Sequence, residues 1–470
     1  MRTPARAYLL QCLVLSTFSA VSLSSLWSRI GLVRPELRAW AMYDWAASAM
    51  HTTIMVAVFP IYFVKVAGAG LTESGATQRL ATVNTLALVT IALVSPILGA
   101  ISDYRGTKKP LLALFMGIGV AAVAGMFFVG QGDLDQASVL FGVSLIGVAG
   151  SLVFYDALLP HVARPREVDR VSTAGYALGY LGGGVLLACN LAWIQRPDWF
   201  GLPSGSGLTE SQATLPVRLA FLSVAVWWAV FSLPLFRRVA EPPATYEPDE
   251  HPGANAFRMA FVRLGETFRE LRHYRQALLM LLAFLIYNDG IQTIIKMATA
   301  YGTELGIGQN ALIGAILMVQ FLGIPCSFLF GLLADRIGAK QALFLGLLAY
   351  SAISVLGYFM KTAAHFYLLA GMVGVVQGGT QALSRSLFAS MIPQHKSGEF
   401  FGFFSVFEKF AGIFGPLIFA GTIAATGSSR NAILSIIVFF IVGALLLRSV
   451  NVSEGQRVAR AADQAAVPAA

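Results

Sequence analysis

Twelve mostly apolar stretches follow one another along the chain. Each is close to the roughly 20 residues that an α-helix needs to cross a bilayer core. They run near 40–66, 80–102, 110–130, 137–159, 171–193, 217–236, 277–300, 311–333, 341–361, 365–388, 401–425 and 430–448. The polar interruptions are short, except at residues 237–276. There, Glu241 to Pro252 is acidic and proline-rich, a composition that predicts a flexible linker. Phe257 to Tyr274 then mixes apolar residues with Arg and Glu at helical spacing, which predicts an amphipathic helix at the inner membrane surface. Ahead of the first stretch, Ala7 to Trp27 is apolar and Ser-rich behind Arg2 and Arg6. It reads as a signal-like or anchor segment, as a thirteenth span, or as a weakly ordered extension. The chain thus divides into an extension (1–35), a six-helix half (36–239), a cytoplasmic linker with its amphipathic helix (240–276), a second six-helix half (277–448) and a cytoplasmic tail (449–470).

Lys and Arg mark the cytoplasmic side of membrane proteins. With the residues before the first span placed inside, the inside loops hold sixteen of them and the outside loops or their edges five. The sixteen include Arg105, Lys108, Lys109, Arg164, Arg166, Arg170, Arg336 and Lys340, and the five are Arg79, Arg196, Arg218, Lys361 and Arg430. Both termini are therefore expected in the cytoplasm. Composition agrees with a membrane protein. Hydrophobic residues make up 56% and charged residues 12%, against about 25% charged in soluble domains. The net charge of +9 would suit nucleic acid, but the basic residues are scattered through short loops, so no nucleic-acid partner is expected. Cys12, Cys189 and Cys326 lie far apart in apolar sequence, with no metal-ligand spacing, so neither a disulfide framework nor a metal is expected. No phosphate-binding G-x-x-x-x-G-K-[ST] loop, serine-nucleophile or paired-carboxylate motif is present, which leaves ATP-driven pumping and enzymatic function without support and no cofactor expected.

A phrase recurs at the ends of the second and eighth stretches. Gly99-Ala-Ile-Ser-Asp103-Tyr104-Arg105-Gly106-Thr-Lys108-Lys109 is matched 232 positions later by Gly331-Leu-Leu-Ala-Asp335-Arg336-Ile-Gly338-Ala-Lys340. The offset continues at 233 for Pro160 and Pro393, and for Ser172, Gly179 and Gly182 against Ser405, Gly412 and Gly415. Gly99 and Gly331 permit close helix approach. Asp103 and Asp335 are placed to meet an opposed helix N-terminus, which favours negative charge. Gly106 and Gly338 allow a tight turn, and the lysines hold the loops inside. These are gating candidates.

Parallel six-helix repeats that both begin inside resemble the halves of major facilitator transporters, and residues 36–448 as a whole are similar to that superfamily. The resemblance implies an all-α membrane protein of twelve transmembrane helices in two parallel six-helix halves. It implies a substrate site between them near the midplane, and alternating access by rocking. The first phrase departs from the family pattern at Tyr104, which stands where a basic residue is usual, with Arg105 the nearest substitute. Two stretches are narrower: Ala39-Trp40-Ala-Met-Tyr43-Asp44-Trp45-Ala-Ala-Ser48, and Gln377-Gly-Gly-Thr-Gln381-Ala-Leu-Ser-Arg385 through Pro393 with Lys409-Phe-Ala-Gly-Ile-Phe-Gly-Pro416. They resemble the vacuole-effluxer-like branch, whose fungal relatives are autophagy-related amino-acid exporters. The pI of 9.5 and the short loops suit a bacterial inner membrane better than a vacuole.

A charged residue at a helix centre costs about 2.5–3.5 kcal/mol on insertion scales and marks function or a satisfied partner. Asp289, in Tyr287-Asn288-Asp289-Gly290, shares a face of the seventh span with Gln292 and Lys296. It reads either as a proton carrier or ammonium ligand, or as a structural carboxylate bonded between helices. Asp44, Ser48 and His51 share a face of the first span, at a depth where His51 and Asp289 would face each other across the cavity. Histidine titrates near physiological pH, or is satisfied by a backbone carbonyl. Asp44 reads as a gate or packing residue. Gln377, Gln381 and Arg385 line one face of the tenth span. Arg385 binds a substrate carboxylate, or pairs with Glu408 or Asp156. Glu408 and Lys409, adjacent on the helix, are expected to point in different directions and to need separate partners. The function expected is secondary transport of a small polar solute, amino acids first, coupled to protons, by a monomer. Sugar, nucleoside or lipid transport is the alternative on this fold, and a membrane enzyme or a non-transporting sensor would be a different class.

Overall fold

The computed structural model describes Trp27 and residues 30–246, 256–270 and 274–468. Twelve helices in it are long and apolar enough to cross a membrane: Pro35–Ala67, Gly75–Arg105, Lys108–Phe128, Leu134–Val162, Val168–Gln195, Glu210–Arg238, Arg275–Ala298, Gly314–Ile337, Ala339–Tyr358, Ala363–Ala389, Gln394–Thr426 and Ser429–Ser449. They are the spans expected from the hydropathy pattern and are numbered first to twelfth below. Residues 7–26, where the extra segment was placed, lie outside the described residues.

Local sequence sets the ends of these helices. Thr209 accepts from the Gln212 amide while the Gln212 side chain accepts from the Thr209 amide, a reciprocal capping box that opens the sixth span. Gly106, at φ 61°, closes the second in the left-handed region that other residues rarely enter. The first and eleventh spans carry irregular segments. The first widens into a π-helix over Met50–Ala57. The eleventh is broken: helix Ser397–Phe410 stops, Gly412 turns at φ 89°, and helix Phe414–Thr426 resumes. Both irregular segments lie within membrane spans, where freed backbone groups need partners.

Most helix packing falls within spans one to six or within spans seven to twelve, but the second span packs chiefly on the eleventh and the fifth packs on the eighth and tenth, across the halves. Aromatic stacking fills each half. Trp40 lies on Tyr155 at 4.4 Å and donates to its carbonyl at 3.0 Å. Phe284 lies on Phe404 at 4.5 Å in the second half. Large apolar side chains such as Leu86, Leu93, Leu348 and Leu417 stay exposed along the outer helix faces. That pattern suits lipid, which solvates them as well as a core does.

The connection between the halves holds the expected amphipathic helix, Ala256–Glu270, which packs on the second span. Arg263 of this helix is buried with its guanidinium 5.4 Å over the Tyr104 ring. The residue that stands where a basic one is usual thus meets a cation from the linker helix rather than Arg105, which is exposed. The start of the linker is docked and not a free coil. Glu241 accepts from the Lys109 amide at 2.8 Å, and Thr245–Tyr246 pairs antiparallel with Val467–Pro468 of the tail. The rest of the acidic linker, residues 247–255, is outside the described residues. The tail forms a helix, Val452–Ala465, whose Asp463 accepts from the Gln394 and His395 amides and pairs with the His395 ring at 2.7 Å.

Candidate functional site

Bonds between the two halves concentrate on the side of the basic loops. The two copies of the repeated phrase meet there, and they behave differently. Asp103 is 1% exposed and accepts from the Gly398 amide at 3.0 Å, the Glu399 amide at 2.8 Å and the Lys108 ammonium at 2.5 Å. It therefore caps the N-terminus of the eleventh span, as its sequence position implied. Gly99 makes this approach possible: a Cβ there would collide with the Gly398 carbonyl. Asp335 instead meets a side chain, Arg170, in the first turn of the fifth span. Gly331 lies against Thr173 of that span. Arg336 is exposed.

The lysines divide their work by contact rather than by spacing. Lys108 serves Asp103, while Lys109 donates to the Phe236 and Val239 carbonyls at the end of the sixth span. Lys340 matches Lys108 in the repeat, yet it donates to the Arg448 and Val450 carbonyls at the end of the twelfth. In both halves a cation satisfies carbonyls that a helix end leaves unpaired.

One turn further into the membrane, Arg385 of the tenth span crosses into the first half. Its side chain is 4% exposed. The guanidinium donates to Asp156 Oδ1 at 2.9 Å, Asp44 Oδ2 at 3.4 Å, Ser172 Oγ at 3.0 Å and the Ser172 carbonyl at 3.1 Å. The rings of Trp40, Tyr155 and Tyr176 lie 4.6–5.5 Å from it, and Tyr155 donates to Asp44 at 2.8 Å. Guanidinium on aromatic faces is attractive, more so when desolvated. Of the two pairings expected for Arg385 the geometry gives Asp156, and Asp44 joins it. Glu408 is paired elsewhere: it accepts from Lys409 at 2.6 Å. That corrects the expectation of separate partners, because the long Lys stem bends back to its neighbour near the end of helix Ser397–Phe410.

Asp289 is 1% exposed and both its oxygens are engaged. Oδ1 accepts from the Gly412 amide at 2.8 Å and the Gly415 amide at 2.9 Å, and Oδ2 from the Phe414 amide at 3.1 Å. The carboxylate therefore caps helix Phe414–Thr426 across the break. Lys296 reaches the same break, with Nζ 3.5 Å from the Gly412 carbonyl. His51 does not meet Asp289. Its Nδ1 lies 3.3 Å from the Ala47 carbonyl, and its charged neighbours are Lys409, Glu408 and Asp44. The reason is that Asp289 turns toward the eleventh span of its own half. Asn288 is fully buried and accepts from Gln381 at 2.7 Å. Gln292 and Gln377 are half-buried on the same two spans, and Gln292 packs against Gly412.

Sequence reasoning passed over Tyr155, Tyr176 and Arg170 as site residues and treated Asp156 only as a partner. An Asp within the apolar fourth span was itself a signal. Among the described residues no group of three His, Cys, Asp or Glu side chains has metal-binding geometry.

Comparison with known proteins completes this picture. The sequence profile of the vacuole effluxer Atg22-like family matches residues 79–460. An uncharacterized MFS-type transporter of Bacillus subtilis, YxiO, is 36% identical over 87% of this chain and 93% of its own length. The autophagy-related protein 22 of Yarrowia lipolytica is 27% identical over 62% of this chain, and the match spans 51% of the fungal protein. Among solved structures, the MFS proton:xylose symporter XylE superposes with a TM-score of 0.63 at 14% identity, covering 92% of this chain and 98% of the other. That likeness concerns the fold.

Proposed function

The chain belongs to the vacuole effluxer Atg22-like family of major facilitator transporters, and from that premise we propose that it moves a small polar solute, amino acids first, by proton-coupled alternating access. It is a secondary transporter and not an enzyme. The observation that supports alternating access is the concentration of inter-half bonds on one side: Asp103 with the start of the eleventh span, Asp335 with Arg170, and Arg385 with Asp44 and Asp156. Contacts made of hydrogen bonds and ion pairs can break and re-form without leaving a large apolar face in water, which is what a gate requires.

In this reading residues 36–239 and 277–448 are the moving halves, 240–276 connects them, and 1–35 and 449–470 lie with both termini in the cytoplasm of a bacterial inner membrane. The closed side is then the cytoplasmic gate, and a monomer suffices. The solute meets His51 of the first half, and Asn288, Gln292, Lys296, Gln377, Gln381 and Glu408 of the second. Lys296 suits a carboxylate and Glu408 an ammonium group. Asp289, with three backbone donors already on its oxygens, holds the broken eleventh span in shape for that site.

The test is uptake of a labelled amino-acid mixture into proteoliposomes, with and without an imposed pH gradient. Uptake that rises with the gradient supports the proposal. Uptake indifferent to it removes proton coupling. No uptake by folded protein removes amino acids and turns the search to sugars, nucleosides and lipids.

A further inference from the structure

The residues ahead of the first span fold back on the first half as a short hook, beside the ion pair that links it to the second. The Leu32 amide donates to the Trp27 carbonyl at 2.9 Å, and the Leu32 side chain is fully buried. Arg38 of the first span ties the hook down. It donates to the Leu32 carbonyl at 3.0 Å and the Val33 carbonyl at 2.7 Å, with its guanidinium 5.6 Å from the centre of the Trp27 ring. Gly31 turns the chain at φ 81°, a conformation that favours glycine. It does so against the stem of Arg170: a Cβ at position 31 would stand 2.8 Å from Arg170 Cβ and 3.2 Å from its Cδ. Arg34 then grips the turn that carries Arg170. It donates to the Val162 carbonyl, at the end of the fourth span, and to the Glu167 carboxylate, just ahead of the fifth, both at 2.8 Å. The same carboxylate oxygen accepts from the Arg164 amide at 3.2 Å. Arg34 thus holds both ends of the turn, and three residues further on Arg170 reaches Asp335 of the second half.

We propose that Gly31 and Arg34 are positioning residues of the gate: the hook aims Arg170 at Asp335, and the halves hold less firmly when the hook is disturbed. This rests on the alternating-access reading but not on the identity of the solute. The side chains of Arg170 and Asp335 are 35% and 33% exposed. A pair so open to water contributes little by itself, because ordering two mobile side chains offsets most of the attraction. The hook supplies the order in advance. The Gly31 backbone closes off one side of the Arg170 stem, which removes rotamers that point the guanidinium elsewhere. The Arg34–Glu167 pair fixes the turn from which the fifth span starts, and with it the height and rotation of Arg170 on its first turn. Both residues act through Arg170 rather than on Asp335. The other copy of the repeated phrase has no need of such an aid. Asp103 is buried and is held by two backbone amides and the Lys108 ammonium, so its geometry is set by the helices themselves.

The test needs no solute. Spin labels at Arg237→Cys, at the end of the sixth span, and Ser453→Cys, in the tail helix docked on the second half, occupy exposed positions. Their separation in nanodiscs reports the gate, with Cys12, Cys189 and Cys326 replaced by Ser. D335N is expected to raise the ratio of long to short separations by up to about fivefold, the most that a half-exposed ion pair supplies. R34Q and G31A should shift the ratio in the same direction. G31A leaves every charge in place and stands in if R34Q does not fold. Because the hook acts through Arg170, R34Q added to D335N should bring no further change. Silence of both R34Q and G31A beside an effective D335N overturns the positioning role and leaves the gate reading standing. An R34Q effect of undiminished size in the D335N protein overturns it as well, since that effect would run through another contact. A D335N protein indistinguishable from its parent takes down this gate contact and the hook together. Failure of amino-acid uptake in proteoliposomes alters none of these outcomes.

Discussion

Arg385 and Asp289 are both buried charges inside membrane spans, yet they are satisfied in different ways. Asp289 is held by three backbone amides within one half. Arg385 is held by two carboxylates, a serine and three aromatic rings of the other half. Removing one partner of a buried pair leaves an unpaired charge and typically costs about 3–5 kcal/mol. R385Q is therefore expected to lower thermal stability by about that much, and the triple variant D44N/D156N/R385Q to recover most of it in the same melting assay. In D289N the new amide nitrogen would face a backbone N–H, and the cap would be lost at a cost of about 1–2 kcal/mol. Amide exchange at Gly412, Phe414 and Gly415 should then accelerate, with the melting point falling less than in R385Q. Equal exchange rates in the two proteins would refute the capping role.

The repeat makes clear how similar elements take up different structure. Gly179 and Gly182 lie within a continuous fifth span, where they let the first span approach at Ser48 and Trp45. Their counterparts Gly412 and Gly415 lie at a break, and their amides bind Asp289. The sequence offset was legible, but the break was not, because glycine permits both an unbroken close contact and a turn. The neighbour decides: a carboxylate on the seventh span satisfies the amides that a break exposes. The second and eleventh spans illustrate the opposite case, in which the glycine alone dictates the geometry. Gly99→Ala places a methyl against the Gly398 carbonyl, and overpacking of this kind costs about 1–3 kcal/mol. On the proposed gating this contact belongs to the closed state, so the variant should lengthen the separation of spin labels placed at Arg166→Cys and Gln341→Cys, exposed positions on opposite halves. An unchanged distribution would show that these helices do not meet in the working protein.

At the scale of the molecule, the linker and tail join the two halves on the side of the basic loops. Tail helix Val452–Ala465 binds the start of the eleventh span through Asp463, and the adjoining Val467–Pro468 meets the linker at Thr245–Tyr246. Deleting residues 452–468 removes these contacts. At about 0.5–1.5 kcal/mol per hydrogen bond, exchange of the Gln394 and His395 amides should rise roughly tenfold, while exchange at Asn288 and Ile291 in the seventh span stays as it was. Protection that persists at Gln394 would show that the tail does not bind there.

The hydropathy pattern alone determined the twelve spans and the amphipathic linker helix. The periodic phrase alone revealed two halves of the same kind. Those features are local or repetitive, since a helix that must cross lipid carries its instruction in its own composition. Sequence also marked Asp44, Asp289, Arg385 and Glu408, because a charge within an apolar run stands out wherever the chain folds. It could not assign their partners. Arg385 had Glu408 or Asp156 as candidate partners, and only the packing of the first, fourth and tenth spans puts Arg385 with Asp156 and Asp44 and leaves Glu408 to Lys409. Pairing is a tertiary property: the side chains are hundreds of residues apart in the chain, and their meeting depends on how whole helices tilt and cross. Tertiary structure alone therefore decided which buried charge serves as a cap and which bridges the two halves.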